Sequence, residues 1–526
     1  MFTTKLRIFA GVTLSASLFL AACSPAPEVV QPADPAWTNA ATAQQQLESG
    51  ALTSVALVEH YLAAIAANNA QGYEIRAIID VNPEALTIAA ERDRERAAGQ
   101  LRGQLHGLPV ILKANIATAD SMPTTAGAEV MQGFTTAVDA ELVQQLRDEG
   151  AIILAKANLS EWANFRGQNS ISGWSGLGGQ TRNPHVLTHN PCGSSSGSGA
   201  AVAADFALLA IGTETDGSIM CPASINGVVG IKPTRGTVSG HGIIPIASAQ
   251  DIAGPMTRYV YDAALLLDAM ITPDAADQFG VSLARASQAP YSGEPVVLVR
   301  AWDERFTGVK ELTDRTANLL RAQGIEVIEV PEWRLPPELG QAEFEVLIYE
   351  FQRDLNAWLA EFGAPEQAQD MNAIIAYNQA NAERTLALFG QEYFEAAAAL
   401  DLAEAEASYL LALSTGRELA EAHLDQYLKE LGVAAIIMPS YGPAWPIPPG
   451  EGPGYSFGTS TAAAVSGYPS ITVPSGREDV RPIGLSIIGL PYSEPQLLSL
   501  ATLIEDVVGG FQRPQFLPEL PSTDAE

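Results

Sequence analysis

Apolar residues recur at helical spacing from about Ala41 to Ala98, in SVALVEHYLAAIAANNA and NPEALTIAAERDRERAAG, which predicts two or three amphipathic helices. GLPVILKAN follows as a short apolar strand with a lysine at its end, and GAIILAKANLSE repeats that pattern after the helix-like AELVQQLRDEG. Strand, helix and strand in alternation predict an α/β fold. Residues 167–199 are rich in Gly, Ser and Asn and are too long for an ordinary connection. Because they carry Trp174, Pro184 and Pro191, they read as a functional loop and not as a linker. They run into AAVAADFALLAIGTETDGS, a small-residue helix followed by a strand. GEPVVLVRAW at 293–302 is another strand-like segment, and the acidic stretch 311–431 reads as mostly helical, a helix-rich insertion or a cap over a site built by its flanks. Strands return in VAAIIMPS, PSITVP and PIGLSIIGL, and no heptad pattern persists long enough for a coiled coil.

The first residues follow a different rule. Lys5 and Arg7 precede an apolar run from about Ile8 to Ala22, short for a membrane span and right for the core of a signal peptide. Leu20-Ala21-Ala22-Cys23 resembles a bacterial lipobox, which predicts removal of residues 1–22 and lipidation of Cys23. Residues 23–38 then read as a Pro/Ala-rich tether, 39–516 as a single domain and 517–526 as a flexible tail. The expected location is the periplasmic face of the cell envelope, lipid-anchored, with Ser24 favouring the outer membrane.

Composition narrows the partners. The 526 residues, 47% hydrophobic, can bury a large core, and their formal charge is -31. Removing residues 1–22 takes two cations and no acids, so -31 becomes -33. Such a chain has little to offer nucleic acid or an acidic bilayer, whose binding draws on Lys and Arg. After Cys23 only Cys192 and Cys221 remain, and the spacing leaves both a bridge and two buried thiols open. No Cys/His cluster or HExxH suggests a metal, and neither metal nor cofactor is expected.

The chemistry centres on GTETDGSIMCPAS, which sets Ser218 after an Asp-Gly turn. A phosphate loop lacks its GxxxxGK[ST]. Gly193-Ser194-Ser195-Ser196-Gly197 formally matches G-x-S-x-G with Ser195 as nucleophile, but no strand precedes it, and His241 and His423, the downstream bases, have no acidic partner signature. A lysine kept neutral by burial could instead take the proton of Ser218. Lys113, Lys156 and Lys232 all follow apolar runs, and periodicity does not choose among them.

GLPVILKAN, PCGSSSGSGAAVAA and GTETDGSIMCPASINGVVGIKPTRGTVSGHGIIPIASAQDIAGPMTRYVYDAALLLDAM resemble, in order, the lysine motif, the glycine/serine signature and the nucleophile segment of the amidase signature family. The similarity extends from about residue 40 to 515. It implies an α/β/α sandwich, a mixed central sheet covered by helices with a helical insertion. It also implies a Ser-cisSer-Lys triad: Lys113 as base, Ser194 as the bridging serine after a cis Gly193–Ser194 bond, and Ser218 as nucleophile. Backbone N–H groups of Thr215, Asp216, Gly217 and Ser218 would hold the oxyanion, and Ser195 would support the relay.

The chain departs from the family pattern in Ala114 after the lysine, in Asp216-Gly217 before the nucleophile and in Met220 two residues after it. The last removes the arginine usual there, and the motifs look most like the peptide amidase branch. The expected function is hydrolysis of carboxamides, of peptide C-terminal amides above all, with release of ammonia. The competing readings are a non-catalytic envelope solute-binding lipoprotein and a Ser-His-Asp hydrolase using Ser195. A tRNA-dependent amidotransferase component fits neither the signal peptide nor the charge. The expected partners are a small-molecule or peptide amide and, through Cys23, a membrane, with no nucleic acid.

Overall fold

The computed structural model describes residues 1–3, 33–447 and 454–521. Cys23, the lipobox and most of the N-terminal segment therefore lie outside the described residues. Among the described residues thirteen strands are formed: β1 (Ile78–Val81), β2 (Pro109–Lys113), β3 (Ile152–Ala157), β4 (Trp174–Ser175), β5 (Gly179–Gln180), β6 (Leu209–Glu214), β7 (Val229–Lys232), β8 (Ile252–Thr257), β9 (Val296–Val299), β10 (Val327–Val330), β11 (Ala435–Pro439), β12 (Ser470–Glu478) and β13 (Arg481–Ile488). Eleven join one sheet in the order β1-β3-β2-β6-β8-β7-β12-β13-β11-β9-β10, and β4 pairs only with β5.

The sheet is mixed. β3, β2 and β6 run parallel, as do β11, β9 and β10, while the strands between are antiparallel. Every residue of β2, β3, β6, β7 and β8 is buried, because helices cover both faces and the strand sequences carry no alternation. The expected strand-helix-strand unit is present as β2, the helix Glu141–Asp148 and β3.

Three expectations of organisation change. The stretch 311–431 is not one helical block: the helix Thr307–Ala322 packs on β12 and leads into β10, which pairs with β9. At four residues, VIEV is too short and too half-buried to break the helical pattern around it. The cap proper is formed by helices Pro337–Phe362, Met371–Ala380, Glu392–Ala398 and Leu402–Leu428. It has an apolar centre of its own, in which Phe351, Trp358 and Phe394 meet Trp162 and Phe165 of the body. Arg166, buried beside Glu161, spans the same junction and donates to the carbonyls of Gly390 (3.2 Å) and Phe389 (3.3 Å).

Residues 33–38 are not free tether. Ala33 N–H donates to Ala51 O (2.8 Å), Trp37 N–H to Asp205 (3.0 Å), and Arg258 reaches Thr38 O (2.6 Å). Nor does the tail begin at 517: Leu187 N–H donates to Leu517 O (2.8 Å), and Phe516 stacks on Tyr73 at 4.3 Å. In both cases one aromatic ring in a Pro-rich run finds an aromatic partner, Phe511 for Trp37 and Tyr73 for Phe516, a signal that composition alone hides.

Candidate active site

Lys113 is the last residue of β2 and is fully buried. Since β2 and β6 pair in parallel with Leu112 opposite Ile211, the lysine emerges beside Thr213. Its Nζ lies 2.7 Å from Ser194 Oγ, 2.8 Å from Thr213 Oγ1 and 3.1 Å from Thr213 O. Burial pulls its pKa down to about 7, against the opposing fields of Asp251 and Glu214.

Ser194 follows a cis peptide bond from Gly193, which packs on Ser160: a Cβ at Gly193 would lie 2.1 Å from Ser160 Oγ. The helix Ser196–Ala203 begins immediately afterwards, with Ser196 Oγ donating to Cys192 O (2.6 Å). Ser195 N–H donates to the carbonyl of Ser218 at 3.0 Å, which brings the two serine segments side by side. A disulfide between Cys192 and Cys221, Cα atoms 5.9 Å apart, closes the same junction. That settles the alternative the spacing left open in favour of the bridge.

The turn at 215–218 is built from its two ends. Glu214 ends β6, and its carboxylate accepts the N–H groups of Ile219 (2.7 Å) and Met220 (2.9 Å), where the helix Met220–Asn226 starts. The chain between must loop out. Gly217 adopts φ +77°, and among the described residues no acceptor takes the N–H of Asp216, Gly217 or Ser218. Side chains brace the loop: Thr215 Oγ1 donates to Asp251 (2.5 Å), Gln250 bridges Thr215 O (3.2 Å) and Glu343 of the cap (2.9 Å), and Thr461 donates to Asp216 (2.7 Å). The free N–H groups of the turn are of the kind that can hold an oxyanion.

Gly217 also leaves room. A Cβ there would sit 2.1 Å from Tyr441 Oη and 2.8 Å from Ser460 Oγ, two groups bonded to each other at 2.6 Å. Gly217→Ala is therefore expected to displace the turn and lower kcat by about 10²–10³-fold, as loss of one oxyanion donor does. Steady-state rates check it, and a kcat within twofold of the parent would show that the turn holds no oxyanion.

The structure separates the remaining candidates. Lys156 is as buried as Lys113, and burial likewise pulls it to about 7, but its Nζ donates to Ile116 O and, at 3.2 Å, to Thr124 Oγ1. Lys232, pulled to about 8, donates to Pro233 O (3.2 Å). Ser195 does not support the relay directly. Its Oγ donates to Thr213 O (3.0 Å) and accepts Thr213 N–H (3.1 Å), because Gly212 lets it lie against the β6 backbone. His241 bonds Glu361 (2.9 Å) at the surface, and His423 packs on Trp333 and Tyr427, so neither histidine serves Ser195.

Sequence reasoning missed Asn115, Thr213, Glu214 and Asp251. Asn115 Nδ2 donates to Thr213 Oγ1 at 3.1 Å. It sits in the turn that follows β2, closed by Ile116 N–H on Lys113 O (3.0 Å), and strand periodicity does not reach it. Thr213 needed the pairing of β2 with β6, Asp251 that of β6 with β8, and Glu214 the turn that brings Ile219 and Met220 back to it.

A model of the amidase family matches residues 56–498. The chain belongs to the amidase family. An amidase of this kind hydrolyses amide C–N bonds. Among solved structures, the native peptide amidase of Stenotrophomonas maltophilia is 44% identical with a TM-score of 0.84, covering 91% of this amidase and 99% of that chain. A protein named as an amidase in Arabidopsis thaliana is 37% identical over 89% of both chains. A second, named as an amidase in Schizosaccharomyces pombe, is 33% identical, over 90% of this amidase and 85% of its own length.

Proposed function

We propose that this amidase cleaves carboxamides through a Ser-cisSer-Lys relay and that peptide C-terminal amides are its substrates. The observation that carries the relay is the contact of buried Lys113 Nζ with Ser194 Oγ at 2.7 Å, beside the Ser195–Ser218 backbone bond. Neutral Lys113 has two N–H bonds, which fit the two oxygens of Thr213, and one lone pair, which fits the hydroxyl hydrogen of Ser194. As Ser218 Oγ attacks the carbonyl carbon, its proton passes to Ser194 and that of Ser194 to Lys113. The carbonyl oxygen becomes negative in the 216–218 cradle. Collapse breaks the C–N bond, and the relay returns the proton to the departing amine. Water then enters by the same steps and releases the acid. Ammonia leaves when the substrate is a primary amide.

Likeness to the Stenotrophomonas maltophilia peptide amidase supports the substrate class. Ammonia release from amidated peptides, free amino acid amides and an aryl acylamide tests it. Amidated peptides are expected to give the highest kcat/KM, and a preference for either other class would sink the peptide reading. We also propose a lipid anchor on Cys23 and an envelope location, for which the sequence around Leu20–Cys23 is the support.

The base must be uncharged, so kcat/KM is expected to fall about tenfold per pH unit below about 7, where Lys113 takes up its proton. Asp251 raises the lysine's pKa, and Asp251→Asn therefore moves the midpoint down. A profile flat from pH 5 to 8 would exclude a lysine base.

A further inference from the structure

A cavity of about 290 Å³ lies on the side of Thr213 and Thr215 that faces the loop 235–248. Its walls are mostly apolar, with Val238, Ile244, Ile246 and Ile252 prominent, and the exposed Gly236 and Gly240 stand at its rim. Two polar groups in it lack partners. Arg235 is half-buried, and its guanidinium makes no ion pair or hydrogen bond among the described residues. The largest charge effect on it is that of Arg417, which has no acidic partner among the described residues, and the carboxylate of Glu350, which acts the other way, is held by Arg353 and Tyr409. At the inner end Asn115 is 1% exposed, and its Oδ1 is buried with no donor. Buried polar atoms are nearly always paired, so an unpaired acceptor on a cavity wall marks where a ligand atom belongs.

The one acid on the wall is already occupied. One oxygen of Asp251 takes the Thr215 hydroxyl, and the other takes the N–H groups of Ile246 (2.8 Å) and Ala247 (3.0 Å). The cavity therefore offers a cation, mostly apolar walls and a lone acceptor. Its volume falls just below the roughly 300–1,000 Å³ of drug-sized sites and suits a molecule of about amino acid size.

We propose that this cavity binds a small carboxylate with an apolar chain, the carboxylate on Arg235 and a terminal hydrogen-bond donor on Asn115 Oδ1. A guanidinium matches a carboxylate in a two-pronged geometry that water does not replace. Through Asn115 and Thr213 Oγ1 the occupant lies three hydrogen bonds from Lys113. Such a carboxylate comes either from a substrate or from a separate effector.

Calorimetry on the full chain with 6-hydroxyhexanoate tests the site, with hexane-1,6-diol as the uncharged control. The acid is expected to bind at least tenfold more tightly than the diol, and Arg235→Gln to erase that difference. Ile244→Trp, which fills the cavity, is expected to abolish binding of both. Equal binding of acid and diol to the parent, no binding at all, or an unchanged preference in Arg235→Gln would each overturn the proposal. Inhibition kinetics separate the sources: an acid that raises KM alone shares the substrate's path, and one that changes kcat at constant KM is an effector. Binding is read without turnover, so the site stands or falls whichever amide Ser218 attacks.

Discussion

Replacing Ser218 with alanine is expected to lower ammonia release from an amidated peptide by about 10⁵–10⁶-fold, the scale on which loss of a serine nucleophile is felt. The fold should be untouched. The Ser218 hydroxyl makes no hydrogen bond among the described residues, so its removal strands no partner, and the carbonyl that accepts Ser195 N–H remains. Thermal unfolding within a degree or two of the parent would confirm that activity alone was lost. Ser195→Ala makes the contrast: the Ser195 hydroxyl bonds only the backbone of Thr213, and its loss is expected to lower activity by far less. Turnover by Ser218→Ala above one-hundredth of the parent rate, or loss confined to Ser195→Ala, would move the nucleophile elsewhere.

The second large effect separates two lysines that burial treats alike. Lys113 and Lys156 are both fully buried and both drawn to about pH 7, so the readiness of either to be neutral does not say which is the base. Their partners do. Lys113 meets a serine hydroxyl, whereas Lys156 meets the carbonyl of Ile116 and the hydroxyl of Thr124. Lys113→Met is expected to lower kcat by about 10³–10⁴-fold, the upper range for loss of a general base. Lys156→Met should keep kcat within about threefold and act on stability, since two buried acceptors lose their donor at about 1–3 kcal/mol each. Initial rates and denaturation midpoints on the two variants decide, and the reverse pattern would mean that the base is Lys156.

Much of this site was legible because its motifs are local. GLPVILKAN announces a buried strand with a lysine at its tip, and GTETDGS a strand that breaks into a turn, and both are so. What composition could not show are the contacts made across the sheet. Thr213 becomes a partner of Lys113 only through the parallel pairing of β2 with β6, and Asp251 reaches Thr215 only through β8 beside β6. The cap boundaries failed for another reason. A four-residue edge strand between two long helices is too small a signal, and the helix Thr307–Ala322 carries the same amphipathic pattern whether it packs on a sheet or in a cap. Ser195 meets the relay only through Thr213 O, which also accepts Lys113 Nζ, and the signal for that placement is a missing side chain, since Gly212 lets the hydroxyl turn to the strand.

The Cys192–Cys221 bridge spans 29 positions, and the ring it closes contains Ser194, Ser218 and the whole 215–218 turn. By loop length alone, such a ring restricts the unfolded chain by about 3–4 kcal/mol. The restriction is also selective. In an oxidised chain that has lost every helix and strand, the two serines remain tethered within one short loop, while Lys113 drifts free. Recovery of the site is then not a search for three groups by one another, but the docking of a single strand tip onto a ring that never came apart.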